Sequence, residues 1–174
     1  KLLARDEILA RGIGRAEFGA RALGNRSIIA NPKNTDNIKK INNLIKNRDF
    51  WMPFTPSILS EKANLFLKND KNIISPYMTI GFETKDYAIQ NIKACLHPGD
   101  NTARPQFVNE DTNLFFWKLL KKIKENHNYG VVLNTSFNLH GRTNVLRPED
   151  AITDFLDCNL DQLYINGYKV TKKL

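Results

Sequence analysis

Apolar positions along the chain follow two spacings, and each spacing predicts one type of secondary structure. Short runs at 7–13, 26–30 and 131–133 predict strands. Apolar residues three to four positions apart predict helices over 36–47 and 110–126, and in the second helix the lysines fall on the opposite face. That apolar stripe is therefore a core-facing surface. The other predicted elements are an extended segment at 54–59, a short helix at 61–67, strands at 77–83 and 164–170, and a helix that begins near Pro148.

The uneven alternation of these strands and helices predicts the fold class. It favours a mixed α/β (α+β) sheet with flanking helices over a regular doubly wound sheet. A length of 174 residues predicts one domain, because domains average about 150 residues. Hydrophobic residues make up 41% of the chain, which suffices for a single core at this size.

Several classes of protein are excluded by features that the sequence lacks. No stretch approaches the roughly 18 to 20 consecutive apolar residues of a membrane-spanning helix, and residues 1–6 do not resemble a signal peptide. We therefore expect a cytoplasmic protein with no membrane partner. The two cysteines, Cys95 and Cys158, supply neither a disulfide framework nor a four-ligand zinc site. The three histidines are too dispersed for a metal site, so none is assigned.

The charge balance points to an anionic ligand. The chain carries 26 Lys and Arg against 18 Asp and Glu, a formal net charge of +8, which suits nucleic acid, an anionic membrane or a nucleotide. The lysines are scattered, as on a solvated helix face. In contrast, five of the nine arginines fall in the first 26 residues. Clustered guanidinium groups are better suited to capture of phosphate or carboxylate groups.

The first candidate segment is 12–27, where four glycines and three arginines follow a predicted strand. Glycines let backbone N–H groups approach an anion, and the arginines Arg15, Arg21 and Arg26 can bind its oxygens. The segment has neither a Walker loop nor a dinucleotide-binding spacing. The alternative is a turn with surface arginines, in which Glu17 pairs with Arg21 one helical turn away.

The second candidate is a pair of cations, Lys46 and Arg48, at the end of the predicted 36–47 helix. Two residues apart in an extended segment, they would project to the same side and suit a triphosphate. The alternative is that they offset the dipole at a helix C-terminus.

Two polar segments complete the set of candidates. Residues 97–106 form a turn rich in polar groups, and residues 133–141 place amide and hydroxyl groups directly after a buried strand, where ligands of α/β sheets usually bind. The alternative in each case is a turn whose polar groups bond only one another. The candidate residues in these two segments are Thr102, Arg104, Asn134, Ser136 and Asn138.

Seven blocks, in order along the chain, resemble the C-terminal domain of the NodU/CmcH-type O-carbamoyltransferase family. The resemblance runs from about residue 8 to residue 170, nearly the whole chain. The blocks are Arg-Ala-Glu-Phe-Gly at 15–19, Arg-Ala-Leu-Gly-Asn-Arg-Ser at 21–27, Pro-Phe-Thr-Pro-Ser at 53–57, Ser-Pro-Tyr-Met at 75–78, Thr-Ala-Arg at 102–104, Asn-Thr-Ser-Phe-Asn at 134–138 and Pro-Glu-Asp-Ala at 148–151.

The resemblance implies a YrdC-like fold and an adenylation reaction. Lys46 and Arg48 resemble the Lys-x-Arg signature of YrdC-like proteins, and Ser136 and Asn138 resemble their Ser-x-Asn signature. The implied reaction combines carbamoyl phosphate with ATP to give carbamoyl-adenylate and pyrophosphate, with Mg²⁺ arriving with ATP. Lys46 and Arg48 would hold nucleotide phosphates, and Ser136 and Asn138 would orient the acyl phosphate. The implied guanidinium partners are Arg15, Arg21, Arg26 and Arg104.

The same resemblance implies that residues 1–174 are one domain of a larger protein. Family members carry an N-terminal actin/Hsp70-like domain that transfers the carbamoyl group to a hydroxyl of a small molecule or glycan, so we expect the isolated chain not to complete the transfer.

Two alternative functions remain open. One is a YrdC-like RNA- or nucleotide-binding module without catalysis, and the other is a scaffold that docks the transferase domain. Nucleic acid is the less favoured ligand because RNA readers need exposed aromatic rings, whereas several aromatics here occupy core-like positions. These are Phe115, Phe116, Phe155 and Tyr164.

Overall fold

A mixed sheet covered on both faces forms the body of the molecule within residues 1–46, 49, 51–127 and 129–172, which the computed structural model describes. The strands are β1 (Leu9–Gly12), β2 (Arg26–Ala30), β3 (Thr55–Leu59), β4 (Phe82–Glu83), β5 (Thr102–Ala103), β6 (Gln106–Val108), β7 (Val131–Ser136), β8 (Gln162–Ile165) and β9 (Tyr168–Val170). The α-helices are α1 (Asp36–Ile41), α2 (Ile89–Ile92), α3 (Leu114–His127) and α4 (Pro148–Asp157). Short 3₁₀ segments occupy Leu3–Arg5, Ser60–Leu65, Asp86–Ala88 and Lys93–Cys95, and a π-helical turn, Asn42–Lys46, extends α1.

Seven strands pair in the order β6-β3-β7-β2-β1-β8-β9, and β4 pairs with β5 in a separate small sheet. Adjacent strands among β3, β7, β2 and β1 are antiparallel, whereas β6 pairs in parallel with β3 and β8 pairs in parallel with β1. This mixture confirms the predicted α/β class with a single domain.

Alternate residues of the central strands face two different helical layers, as the pleat of a strand requires. On β2, Ile28 packs with Ile41 and Phe155 on the side of α1 and α4. Its neighbour Ile29 packs with Phe116 and Leu120 of α3 on the other side. The sheet is therefore buried on both faces. A third apolar cluster, with Ile58, Phe66, Phe82 and Phe107 among its members, joins the small sheet to the large one.

Most predicted elements lie where the apolar pattern placed them. Strand β2 occupies the predicted 26–30, and Pro148 is the first residue of α4. The predicted helix at 110–126 begins at Leu114, because the Asn113 side chain accepts the Phe116 N–H at 3.0 Å and caps the first turn.

Two of the predicted strands were wrong in part. The predicted 77–83 strand is reduced to Phe82–Glu83, since the chain turns at Pro76 and Met78 takes a left-handed φ of 57°. The predicted 164–170 strand is a hairpin of β8 and β9. Its turn is Asn166-Gly167, where φ is positive at both residues, as a tight two-residue hairpin requires.

One aromatic residue was also misplaced. Phe115 was expected in the core, but its side chain is 60% exposed while the adjacent Phe116 is fully buried. Successive positions on a helix point about 100° apart, so the two rings cannot share the core-facing stripe. Among the described residues, no helix has the length and apolar character needed to cross a bilayer.

The contrast between these two neighbouring phenylalanines gives a test of the packing. We expect Phe116→Ala to lower the free energy of unfolding by about 3–5 kcal/mol, because it empties a site between β1, β7 and α3. The matched control Phe115→Ala changes the same residue type on the same helix and should cost under about 1 kcal/mol. Urea denaturation measures both. Equal losses would contradict the assigned face of α3.

Candidate functional site

A cavity of about 440 Å³ opens beside the C-terminal end of β7, where strand-end side chains meet three other parts of the chain. Its walls are residues 20–22, residues 51–55, Thr102, Ala103 and Arg104 at the small sheet, and residues 134–136. The volume falls within the range of about 300–1,000 Å³ typical of small-molecule sites. Parts of three candidate segments, 12–27, 97–106 and 133–141, therefore meet at this cavity, together with residues 51–55, which the sequence analysis did not single out as a candidate.

The charge of this cavity is positive. Arg21 and Arg104, which are far apart in the sequence, both line it and are exposed to solvent, and His97 also contributes to the wall. Among the described lining residues there is no Asp or Glu. An anion entering the cavity therefore meets guanidinium forks without an opposing carboxylate in the described wall, an arrangement suited to phosphate.

Thr102 is held at the cavity wall by a neighbouring carboxylate. Asp100 accepts the backbone N–H of Thr102 at 2.9 Å and its hydroxyl at 2.8 Å. These hydrogen bonds favour the ionised form and hold the pKa of Asp100 below its usual value. The Asp100 carboxylate also lies 3.2 Å from Nδ1 of His97. The turn that carries Thr102 and His97 is thus tied together before any ligand arrives.

Asn134 belongs to a buried polar network beneath the cavity. Its side-chain amide donates to the Ala22 carbonyl at 3.1 Å and to Ser57 Oγ at 2.9 Å. Ser57 in turn donates to Gln106 Oε1 at 2.7 Å, and Gln106 Nε2 donates to the Leu23 carbonyl at 2.9 Å. Asn134, Ser57 and Gln106 are all at most 3% exposed. Because buried polar groups are costly to leave unpaired, the network fixes the distance between β7 and residues 22–23.

Ser136, the last residue of β7, lines the cavity and is oriented by Asn138. The Ser136 hydroxyl donates to Asn138 Oδ1 at 2.6 Å, and the Asn138 amide donates to the Arg142 carbonyl at 2.8 Å. Asn138 itself is not among the lining residues. The two residues therefore act as a pair in which the second sets the rotamer of the first.

Two of the predicted arginines lie away from the cavity lining. Arg15 is exposed on the loop between β1 and β2. Arg26 directs its guanidinium at backbone carbonyls, those of Ile13 at 2.9 Å, Gly14 at 3.0 Å and Leu146 at 3.1 Å. Arg26 therefore holds the loop at residues 13–14 next to the loop at Leu146.

The remaining predicted cations fall where the structure gives no side-chain description. Arg48 lies outside the described residues, and of Lys46 only the backbone is described, as the last residue of the π-helical turn. Their assignment to nucleotide phosphates stays a prediction.

The sequence did not single out the apolar mouth of the cavity. Trp51 and Met52 line it and are about half exposed, at 49% and 44%, and the buried Met78 also lines the cavity. The Thr55 hydroxyl lies 3.3 Å from the Met78 sulfur. The sequence did contain a signal for these two residues, because Met78 and Thr55 both belong to blocks of the family resemblance. Hydrophobic periodicity, however, does not predict that those blocks meet in space.

The described part of the chain offers no set of side-chain ligands for a metal ion. No group of three or more His, Cys, Asp or Glu side chains is placed to hold a metal ion there.

Comparison with known proteins identifies the family. The family profile described as carbamoyltransferase C-terminus matches residues 1–172. An uncharacterized protein of Methanocaldococcus jannaschii is 48% identical over 175 residues, which cover all of this chain and 28% of that protein. The nodulation protein NolO of Bradyrhizobium diazoefficiens is 38% identical over 172 residues, covering 98% of this chain and 31% of its own length.

A relative with a named enzymatic activity also matches. The 3'-hydroxymethylcephem-O-carbamoyltransferase of Amycolatopsis lactamdurans is 30% identical over 150 residues, covering 86% of this chain and 28% of the enzyme. The chain spans less than a third of the length of each of these three relatives. The family profile covers residues 1–172, and these relatives match most or all of the chain. The chain therefore belongs to the carbamoyltransferase C-terminus family.

Proposed function

We propose that this chain is the module of a carbamoyltransferase that activates carbamoyl phosphate with ATP and holds the resulting carbamoyl-adenylate. The observation that carries the proposal is the meeting of Arg21, Arg104 and the polar end of β7 at one cavity. Adenylation gathers several phosphate charges in one place, and preorganised cations and hydrogen-bond donors stabilise them as charge shifts during the reaction.

The proposed reaction has two balanced steps. Water cleaves carbamoyl phosphate to carbamate and inorganic phosphate. A carbamate oxygen then forms a bond to the α-phosphorus of ATP while the bond from that phosphorus to the bridging oxygen of the β-phosphate breaks, and pyrophosphate leaves with the electron pair. Because carbamate is already an anion, the second step needs no general base.

Each side chain at the cavity has a proposed part in these steps. Arg21 and Arg104 bind phosphate oxygens, and Thr102 contributes by turning its hydroxyl from Asp100 to the same group when the phosphate is bound. Ser136, oriented by Asn138, positions the acyl phosphate. Lys46, Arg48, Arg15 and Arg26 stay as sequence-based predictions of further phosphate contacts. The apolar mouth offers a surface on which an adenine ring can stack.

The complete transfer belongs to a larger assembly. The name of the Amycolatopsis enzyme states that it places a carbamoyl group on an oxygen. We propose a hydroxyl acceptor for this chain too, with the transfer carried out by an actin/Hsp70-like domain in the N-terminal part that the longer relatives carry. The YrdC-like fold and a cytoplasmic location stay predictions. The alternative of an RNA-binding module without catalysis is not favoured by the relatives.

Removal of either cavity arginine should weaken binding of the nucleotide. Isothermal titration of the chain with Mg·ATP should give a measurable Kd, and Arg21→Ala and Arg104→Ala should each weaken it by about tenfold or more, because each removes charge-assisted hydrogen bonds to phosphate. The matched control is Arg5→Ala. Arg5 is exposed, ends the 3₁₀ segment Leu3–Arg5 and does not line the cavity, so its variant should bind as the unchanged chain does. No binding at millimolar Mg·ATP would overturn the proposal.

Removal of the Ser136 hydroxyl should slow the proposed adenylation reaction. Pyrophosphate should form only when the chain, Mg·ATP and carbamoyl phosphate are all present. Ser136→Ala should lower the rate by about tenfold or more while leaving the Kd of Mg·ATP within about twofold, because orientation of the acyl phosphate acts mainly in the transition state. The control is Ser60→Ala, outside the cavity. Pyrophosphate release at the same rate without carbamoyl phosphate would contradict the proposed substrate.

A further inference from the structure

The backbone of residues 22–26, which directly follow Arg21, is unusual. Side chains bind most of its N–H and C=O groups, in place of the backbone partners that a helix or strand supplies. The carbonyl of Ala22 accepts from Asn134 at 3.1 Å, and that of Leu23 accepts from Gln106 at 2.9 Å and from Asn113 at 3.3 Å. The Gly24 N–H donates to Ser27 Oγ at 3.0 Å, and the Gly24 carbonyl accepts from Arg11. We call residues 22–26 the clamped segment.

Glu17 binds the N–H groups on the other side of the clamped segment. Its Oε1 accepts three of them, from Leu23 at 2.8 Å, Asn25 at 2.6 Å and Arg26 at 3.2 Å. Hydrogen bonds to an ionised carboxylate are about twice as strong as neutral ones. One side chain therefore replaces the partners that a strand or helix would supply, and it fixes the turn that leads into β2.

Glu17 uses a single oxygen, Oε1, for its described hydrogen bonds to the segment. Oε2 is buried and has no hydrogen-bond partner among the described residues. The sequence allowed an ion pair between Glu17 and Arg21, but the described ion pairs do not include it. Arg21 thus lines the cavity without this ion pair, while the Glu17 carboxylate holds the backbone that follows Arg21.

A buried positive charge stabilises the same segment. The Arg11 guanidinium donates to the Gly24 carbonyl and lies 5.2 Å from the centre of the Phe116 ring. Burial lowers the pKa of Arg11 to about 10, and the negative charge of Glu17 partly opposes this shift, so Arg11 stays protonated at neutral pH. Gly24 itself has a φ of 112°, and a Cβ there would overlap the Phe116 ring. The segment thus has little freedom to take another path.

We infer that Glu17 is a positioning residue for phosphate binding, because it fixes the clamped segment and through it the place of Arg21 in the cavity wall. Ala20, Arg21 and Ala22 form one wall of the cavity, and the clamped segment begins at the last of them. Glu17 is not among the residues that line the cavity, so it acts through the backbone and not on the ligand. This inference rests on the proposed function.

A double-mutant cycle with Mg·ATP as the probe tests the inference. Glu17→Gln keeps an acceptor oxygen but removes the charge, and it should weaken the Kd by about fivefold. Arg21→Ala alone should weaken the Kd by about tenfold. If Glu17 acts through Arg21, the Kd of the double variant should be within about twofold of the Kd of Arg21→Ala alone. The reason is that the effects of two substitutions that act through the same contact do not add. The matched control Glu110→Gln, an exposed carboxylate before α3, should leave the Kd unchanged.

Amide hydrogen exchange supplies a readout that needs no ligand. In Glu17→Gln the N–H groups of Leu23, Asn25 and Arg26 should exchange about tenfold faster or more, whereas those of β7, such as Leu133, should exchange as before. If Glu17→Gln does not fold, Ser27→Ala removes the acceptor of the Gly24 N–H and tests the same coupling.

The outcomes separate the inference from the proposed function. Additive losses in the cycle, or an unchanged Kd in Glu17→Gln, overturn the positioning role and leave the nucleotide site standing. If the unchanged chain binds no Mg·ATP, the proposed function fails and the positioning role falls with it. Unchanged exchange at Leu23, Asn25 and Arg26 overturns the clamp itself, whatever the ligand does.

Discussion

The cost of burying polar groups without partners is the constraint on which the rest of this structure depends. Near the buried Ala22 and Gly24, the chain between β1 and β2 has neither a strand nor a helix to pair its backbone. Side chains from β1, β3, β6, β7 and the start of α3 take that role, with Asn134, Ser57 and Gln106 forming a buried chain of hydrogen bonds. The same bonds join two walls of the cavity, so stability and site geometry have a common origin.

This arrangement explains why chemistry-bearing residues are so dispersed in the sequence. The cavity lies where β7 ends, and the neighbouring strands and loops bring residues 20–22 and 102–104 to that end. The described wall carries cations and hydroxyls but no carboxylate. Of the carboxylates nearby, Asp100 and the Oε1 oxygen of Glu17 already accept hydrogen bonds from N–H and hydroxyl groups of the protein. Carboxylates thus shape the site while the positive charges face the space for the ligand.

Sequence patterns predicted the parts of the fold that hydrophobic periodicity controls. The central strands and α3 followed directly, because their apolar residues face a core. The strands at 102–103 and 106–108 were not predicted, since two or three residues give no measurable period, and the Asn-Gly turn at 166–167 divides a run that seemed continuous. The family blocks indicated Arg21, Thr102, Arg104, Asn134 and Ser136, which all line the cavity. Residue type alone could not distinguish these five residues from Arg26. The Arg26 guanidinium binds backbone carbonyls, and it is the tertiary surroundings that distinguish Arg26 from Arg21.

The central claim is that the cavity beside β7 binds the phosphates of a nucleotide, and a crystal structure of the chain with Mg²⁺ and a non-hydrolysable ATP analogue tests it most directly. The account predicts phosphate oxygens within hydrogen-bonding distance of the Arg21 and Arg104 guanidinium groups, with the base at the Trp51 and Met52 mouth. Phosphates bound elsewhere on the chain, with both arginines still facing solvent, would contradict it.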